Sequence, residues 1–96
     1  MNLLVTYDVS TTTPEGRRRL RRVAQVCQDF GQRVQYSVFE CSVGETDLVR
    51  LRSRLLDEID PDEDSLRLYR LHGSIADTVE VHGLDRRIDF DGPLIV

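Results

Sequence analysis

Asp8 is the residue in this sequence most suited to do chemistry. It ends an otherwise apolar stretch, Leu3 to Val9, and is followed by Ser10-Thr11-Thr12-Thr13-Pro14 and then by Arg17, Arg18, Arg19, Arg21 and Arg22. A carboxylate beside hydroxyls and guanidinium groups suits a metal-assisted phosphate site, because carboxylates hold hard cations and arginines take phosphate oxygens two at a time. The same residues also describe an ordinary strand end beside a helix cap, with the arginines forming a solvated helix face that pairs locally with Glu15. Other candidate groups are weaker. Asp57, Glu58, Asp60, Asp62, Glu63 and Asp64 form an acidic run without calcium-loop spacing, and read as a solvated loop. His72 and His82 stand beside glycines with no carboxylate or cysteine at ligand spacing, and read as surface histidines. Cys27 and Cys41 are not spaced as a redox or zinc pair, and read as reduced core residues.

Composition bounds what can carry such a site. The chain has 96 residues, 40% apolar and 31% charged, a normal globular mixture for one domain. A chain this short buries only roughly 60 to 65% of its unfolded surface, so association with a second copy would help it. No apolar run approaches the roughly 20 residues that span a bilayer. No basic leader with a cleavage site precedes the first strand, so the cytoplasm is the expected compartment. The net charge of −4 argues against gripping a polyanion with the whole surface, but the basic and acidic residues are segregated. The arginine cluster therefore still attracts phosphate locally, within a screening length of about 10 Å. Every basic side chain is Arg and none is Lys.

The elements that position these residues follow from periodicity. Leu3, Val5 and Tyr7 alternate with Leu4, Thr6 and Asp8, the period of a half-buried strand. Thr13 before Pro14 predicts a helix start, with Gly16 weakening the first turn. Leu20, Val23, Ala24, Cys27 and Phe30 form the buried stripe of that helix, and Gly31 its stop. Arg17, Arg18, Arg21 and Arg22 face away from the stripe, and Arg19 lies toward one flank. Arg33 to Cys41 reads as strand, either one bent strand or two short ones. Gly44-Glu45-Thr46-Asp47 opens a second helix with the stripe Leu48, Leu51, Leu55 and Ile59, widened by Val49 and Leu56. Arg54 and Glu58 form an i,i+4 pair on it, and Asp60-Pro61 ends it. Ser65 to Leu71 is another strand, followed by a short helical turn at Ile75 to Asp77 and strand character near Thr78 to Val81. The apolar end after Gly92-Pro93 is expected to pair at a sheet edge, of this chain or of another subunit. Two helices on one face of an antiparallel sheet make an α+β, ferredoxin-like βαββαβ sandwich with an additional C-terminal strand. The whole of 1–96 is one domain, with a core at 1–73 and a tail at 74–96. The uncovered sheet face predicts a two-fold homodimer.

Several segments are together diagnostic. Tyr7-Asp8-Val9, the arginine-rich helix, Gly31-Gln32-Arg33-Val34-Gln35-Tyr36-Ser37-Val38-Phe39-Glu40, the run into Ile59-Asp60-Pro61, and Asp64-Ser65-Leu66-Arg67-Leu68-Tyr69 resemble the small CRISPR-associated endoribonuclease family. That family is the smaller of the two near-universal proteins of spacer acquisition. The resemblance runs from Leu3 to about Gly73 in the same order and spacing, and the string from Gly31 to Glu40 is specific. It implies a homodimer in which Asp8 approaches its symmetry mate and binds a divalent metal, usually magnesium (Mg2+). It also implies metal-dependent endonuclease activity on single-stranded RNA, in some members on duplex DNA. The resemblance further implies a place as the central dimer between two dimers of the CRISPR integrase, holding the DNA that becomes a spacer. The family's nucleic-acid contacts carry over to Arg18, Arg21, Arg22 and Arg33. Where many members have acids just after the first strand, this chain has Ser10-Thr11-Thr12, which leaves fewer carboxylates for a metal. The expected function is magnesium-dependent cleavage by Asp8 in CRISPR adaptation. The alternatives are a catalytically silent DNA-binding scaffold and, by fold analogy, an RNA-cleaving toxin.

Overall fold

The computed structural model describes residues 1–85. The first strand, β1 (Asn2–Asp8), buries Leu3, Val5 and Tyr7 and leaves Leu4 and Thr6 half-exposed on its other side. Its alternation decides which residues enter the core. Helix α1 (Pro14–Phe30) starts where the sequence predicts: Thr13 is extended, and its hydroxyl accepts the Gly16 N–H at 3.1 Å. Val23, Val26 and Cys27 are buried on its inner face, with Leu20, Ala24 and Phe30 packed at the margin. Gly16 does more than weaken the first turn, because a Cβ there would overlap the Ser10 carbonyl. The helix begins so close to the preceding loop that only glycine fits.

The segment left open as one strand or two is two. Strands β2 (Gly31–Gln35) and β3 (Val38–Ser42) form a hairpin whose turn holds Tyr36, 80% exposed, with a register shift between Arg33 and Gln35. Gly31 caps α1 in an extended conformation and begins β2 directly, lying so close to Cys41 that a Cβ would overlap its sulfur. Helix α2 (Glu45–Glu58) buries Leu48, Leu51 and Leu55. The expected widening of its stripe does not occur: Val49 is 59% and Leu56 57% exposed, because the helix meets the rest of the molecule along one narrow face. Strand β4 (Ser65–Leu71) and a short turn, α3 (Ile75–Thr78), follow. The strand expected near Thr78 to Val81 is absent. The Thr78 hydroxyl donates to the Ser74 carbonyl at 2.7 Å and the Val79 N–H to Ile75, which draws this segment into the helical turn. The additional C-terminal strand, in residues 92–96, lies outside the described residues.

The four strands pair antiparallel in the order β2-β3-β1-β4, the ferredoxin-like arrangement. Leu3 lies opposite Cys41, and Val5 opposite Phe39 and Leu68, so one face collects the apolar residues beneath both helices. Leu4, Thr6 and Asp8 point to the other face, with Val38 and Glu40 on one side and Ser65, Arg67 and Tyr69 on the other. Cys27 and Cys41 are free and buried, as their spacing predicts. Burial raises the Cys27 thiol to about 12, with Cys41 adding to the effect, and raises Cys41 to about 11. Among the described residues no helix is long and apolar enough to cross a membrane.

Candidate functional site

Asp8 ends β1 on the sheet face that the helices leave bare. It is exposed, and its cross-strand partner is Ser65, so both side chains stand on that face at the same end of the sheet. Among the described residues its carboxylate has no hydrogen-bond or ion-pair partner. No group of three His, Cys, Asp or Glu among the described residues forms a metal cage. One accessible carboxylate beside a hydroxyl does not suit zinc, which takes three or four protein ligands, but it fits magnesium, which commonly takes one or two carboxylates and fills its shell with water and phosphate. Asp8 is the residue that would hold the ion, and a second copy would supply a second carboxylate.

The arginines divide into two groups. Arg18, Arg21 and Arg22 are exposed on the outer side of α1, separated from Asp8 by the helix layer and the sheet. Arg22 approaches Glu58 only loosely, at 3.9 Å. Arg33 is on the helix side of the sheet, since it lies opposite Phe39 in the register. Its guanidinium stacks over the Phe39 ring at 5.1 Å, and its Nε is buried without a hydrogen-bond partner. Next to it, Tyr7 donates its hydroxyl to the Tyr36 carbonyl at 3.3 Å. Burial raises the Tyr7 pKa, and the hydrogen bond with Arg33 pulls it partly back. Within one chain, then, Asp8 and the basic helix occupy different layers.

The expected solvated acidic loop is corrected at one residue. The Asp64 side chain is fully buried, and its carboxylate receives four N–H groups. Arg19 donates Nε at 2.8 Å to one oxygen and Nη2 at 3.3 Å to the other. The backbone N–H of Asp60 donates at 2.9 Å and that of Ser10 at 3.0 Å. Burial raises the Asp64 pKa, but the hydrogen bonds from Arg19, Asp60 and Ser10 outweigh it and hold the carboxyl below the usual range. Arg19 is therefore a structural residue and not merely the flank of the cluster. Glu15, expected to pair with these arginines, makes no ion pair among the described residues; Arg19 uses Asp64. The expected Arg54–Glu58 pair is also replaced: Arg54 reaches across to Asp29 of α1 at 2.7 Å, where its guanidinium also lies 5.5 Å from the Phe30 ring centre. The two helices pack side by side, so the partner across the interface competes with the one a turn away. His72 and His82 are exposed, and His82 lies 2.6 Å from Glu80.

A groove of about 680 Å³ crosses the bare sheet face between Leu4, Val38 and Glu40 and the irregular segment containing Val79, Val81 and Leu84. Val79 and Val81 of that segment are 42% and 50% exposed, and Tyr69, opposite Leu4 on the same sheet face, is 42% exposed.

Comparison with known proteins places this geometry. The model of the family described as CRISPR associated protein Cas2 matches residues 1–78. The chain is 55% identical over 96 residues to CRISPR-associated endoribonuclease Cas2 1 of Moorella thermoacetica, covering all of both chains. It is 50% identical to CRISPR-associated endonuclease Cas2 of Halalkalibacterium halodurans, covering 99% of each. A crystal structure of Streptococcus pyogenes Cas2 at pH 6.5 superposes with a TM-score of 0.79 and 53% identity, over 86% of this chain and 100% of that one.

Proposed function

Because the chain belongs to the CRISPR associated protein Cas2 family, we propose that it is a homodimeric, magnesium-dependent endonuclease of CRISPR adaptation, acting on single-stranded RNA or duplex DNA, and that it works beside the CRISPR integrase. The observation that carries this reading is Asp8: an exposed carboxylate, without a partner among the described residues, on the one sheet face the helices leave open. The relative from Moorella thermoacetica is named an endoribonuclease, and that from Halalkalibacterium halodurans an endonuclease. Asp8 would hold the cation, which when bound would supply a nucleophile from water at neutral pH and neutralise charge on the scissile phosphate. Arg18, Arg21 and Arg22 contact backbone phosphates from the outer side of α1, and Arg33 does so from the hairpin side. The half-apolar face around Leu4, Val38 and Tyr69 buries itself against a second copy, which also brings a second Asp8 to the first.

The test is cleavage of single-stranded RNA and duplex DNA in magnesium by the wild type and by Asp8→Ala, with light scattering on both. Cleavage is expected to disappear while the dimer persists; undiminished cleavage by Asp8→Ala rejects the assignment. A second reading, a catalytically silent DNA-binding scaffold, is favoured by one feature: the basic helix lies in a different layer from Asp8. On that reading Arg18→Ala with Arg22→Ala weakens DNA binding, Asp8→Ala does not, and neither RNA nor DNA is cut.

A further inference from the structure

Asp64 touches both flanks of Asp8 without touching Asp8 itself. Along the chain, Asp64 precedes Ser65, the cross-strand partner of Asp8. Through space, its carboxylate receives the N–H of Ser10, two residues beyond Asp8, at 3.0 Å. The remaining acceptor positions are filled by Asp60 and by the fork of Arg19. A carboxylate accepts about four hydrogen bonds, so this one is saturated and has no lone pair to spare for a ligand. It joins the loop after β1, helix α1 and the turn before β4 at the end of the sheet where Asp8 stands. Opposite this contact, Gly16 lies against the Ser10 carbonyl. The loop that follows Asp8 is thereby held on both sides of one residue.

We infer that Asp64 and Arg19 are positioning residues for Asp8: the buried pair fixes the backbone on both flanks of that carboxylate and so sets how tightly it holds a divalent cation. This rests on the metal-dependent reading of Asp8 given above. Four N–H groups converge on Asp64, and Arg19 is the only one of the donors that is a side chain. Replacing Asp64 by Asn keeps its size but leaves one acceptor oxygen for the backbone N–H groups of Ser10 and Asp60, which loosens the clamp without emptying the core.

The test needs no substrate. Manganese(II) is titrated into the full-length protein, and the broadening of the Asp8 amide signal is followed by NMR for the wild type, Asp64→Asn and Arg19→Gln, with hydrogen exchange of the Ser10 amide measured alongside. For Asp64→Asn the expected outcome is faster Ser10 exchange with a half-broadening concentration raised about 10- to 100-fold, the usual effect of losing a group that orients a metal ligand. Arg19→Gln, which leaves the Ser10 and Asp60 bonds in place, gives a smaller shift in the same direction, and is the variant that decides if Asp64→Asn does not fold. In cleavage assays kcat is expected to fall while KM for RNA holds, since the exposed Arg18, Arg21 and Arg22 are unchanged. An unchanged manganese midpoint, even with faster Ser10 exchange, overturns the inference and leaves the pair purely structural. If the wild type shows no broadening at Asp8, the metal reading fails, and this inference with it. Broadening without cleavage rejects the nuclease but still allows the midpoint to judge the pair.

Discussion

Single residues behave here as their surroundings dictate, and the cysteines show it most directly. Both thiols lie in the apolar layer between α1 and the sheet, where a thiolate has no hydration, so Cys27 is pushed up to about 12 and Cys41 to about 11. Unfolded thiols ionise near 8.5. Above that pH the unfolded chain releases protons that the native chain keeps, so folding stability is complete below about 8.5 and declines as pH rises toward 11. Urea midpoints between pH 7 and 10.5 should therefore fall more steeply for the wild type than for a Cys27→Ala, Cys41→Ala variant, in which other titrating groups contribute equally. Parallel curves would remove the thiols as the cause. Burial of these two residues was legible from the sequence, because their spacing suits neither a redox nor a zinc pair and Cys27 sits on the apolar stripe of α1. The burial of Asp64 was not, because nothing in an acidic run distinguishes the one carboxylate that meets an arginine and two backbone amides.

At the scale of elements, α2 separates what periodicity fixes from what packing fixes. Its stripe of Leu48, Leu51 and Leu55 is buried as the spacing predicts, whereas Leu56 and Val49 are turned outward. A helical wheel gives the centre of the apolar stripe but not its width, which depends on how broad a surface the neighbours offer. Leu55→Ala is expected to cost about 2 to 5 kcal/mol in urea unfolding, and Leu56→Ala to remain within about 0.5 kcal/mol of the wild type. Equal losses at the two positions would mean that Leu56 is covered in solution. Arg54 makes the same point with charge: the i,i+4 rule names Glu58, but α1 brings Asp29 closer, and the choice is made by the helix pairing. The hairpin is a third case. Tyr36 and Ser37 carry no glycine or proline turn signal, so only the pairing of Gln35 with Val38 reveals where the chain reverses.

For the whole molecule, Asp8 stands apart from Arg18 and Arg21 in a different layer, so on the proposed function binding and cleavage would be independently adjustable. If exposed arginines on α1 hold phosphate, Arg18→Ala and Arg21→Ala should each lower the slope of log K against log salt by about one unit. The change should be alike for RNA and duplex DNA of any sequence, since phosphate contacts carry no sequence information. A slope unchanged in both variants would move the nucleic acid off this helix. Arg33→Ala is a different case: this side chain is stacked on Phe39 beside Tyr7, so loss of stability accompanies any loss of binding.

The sequence by itself determined β1, both long helices and β4, the cap at Thr13, the inward face of β1 and the position of Asp8 at its end, because these depend on local periodicity and on backbone preferences a few residues long. The string from Gly31 to Glu40 and the run from Asp64 to Tyr69 were enough to indicate the family. Only the tertiary structure decided that Asp64 is buried, that Arg19 belongs to it and that Arg54 turns to Asp29, because each pairing joins residues 25 to 54 positions apart. Which charge meets which across such distances is set by how helices pack on a twisted sheet, and no spacing within one segment encodes it.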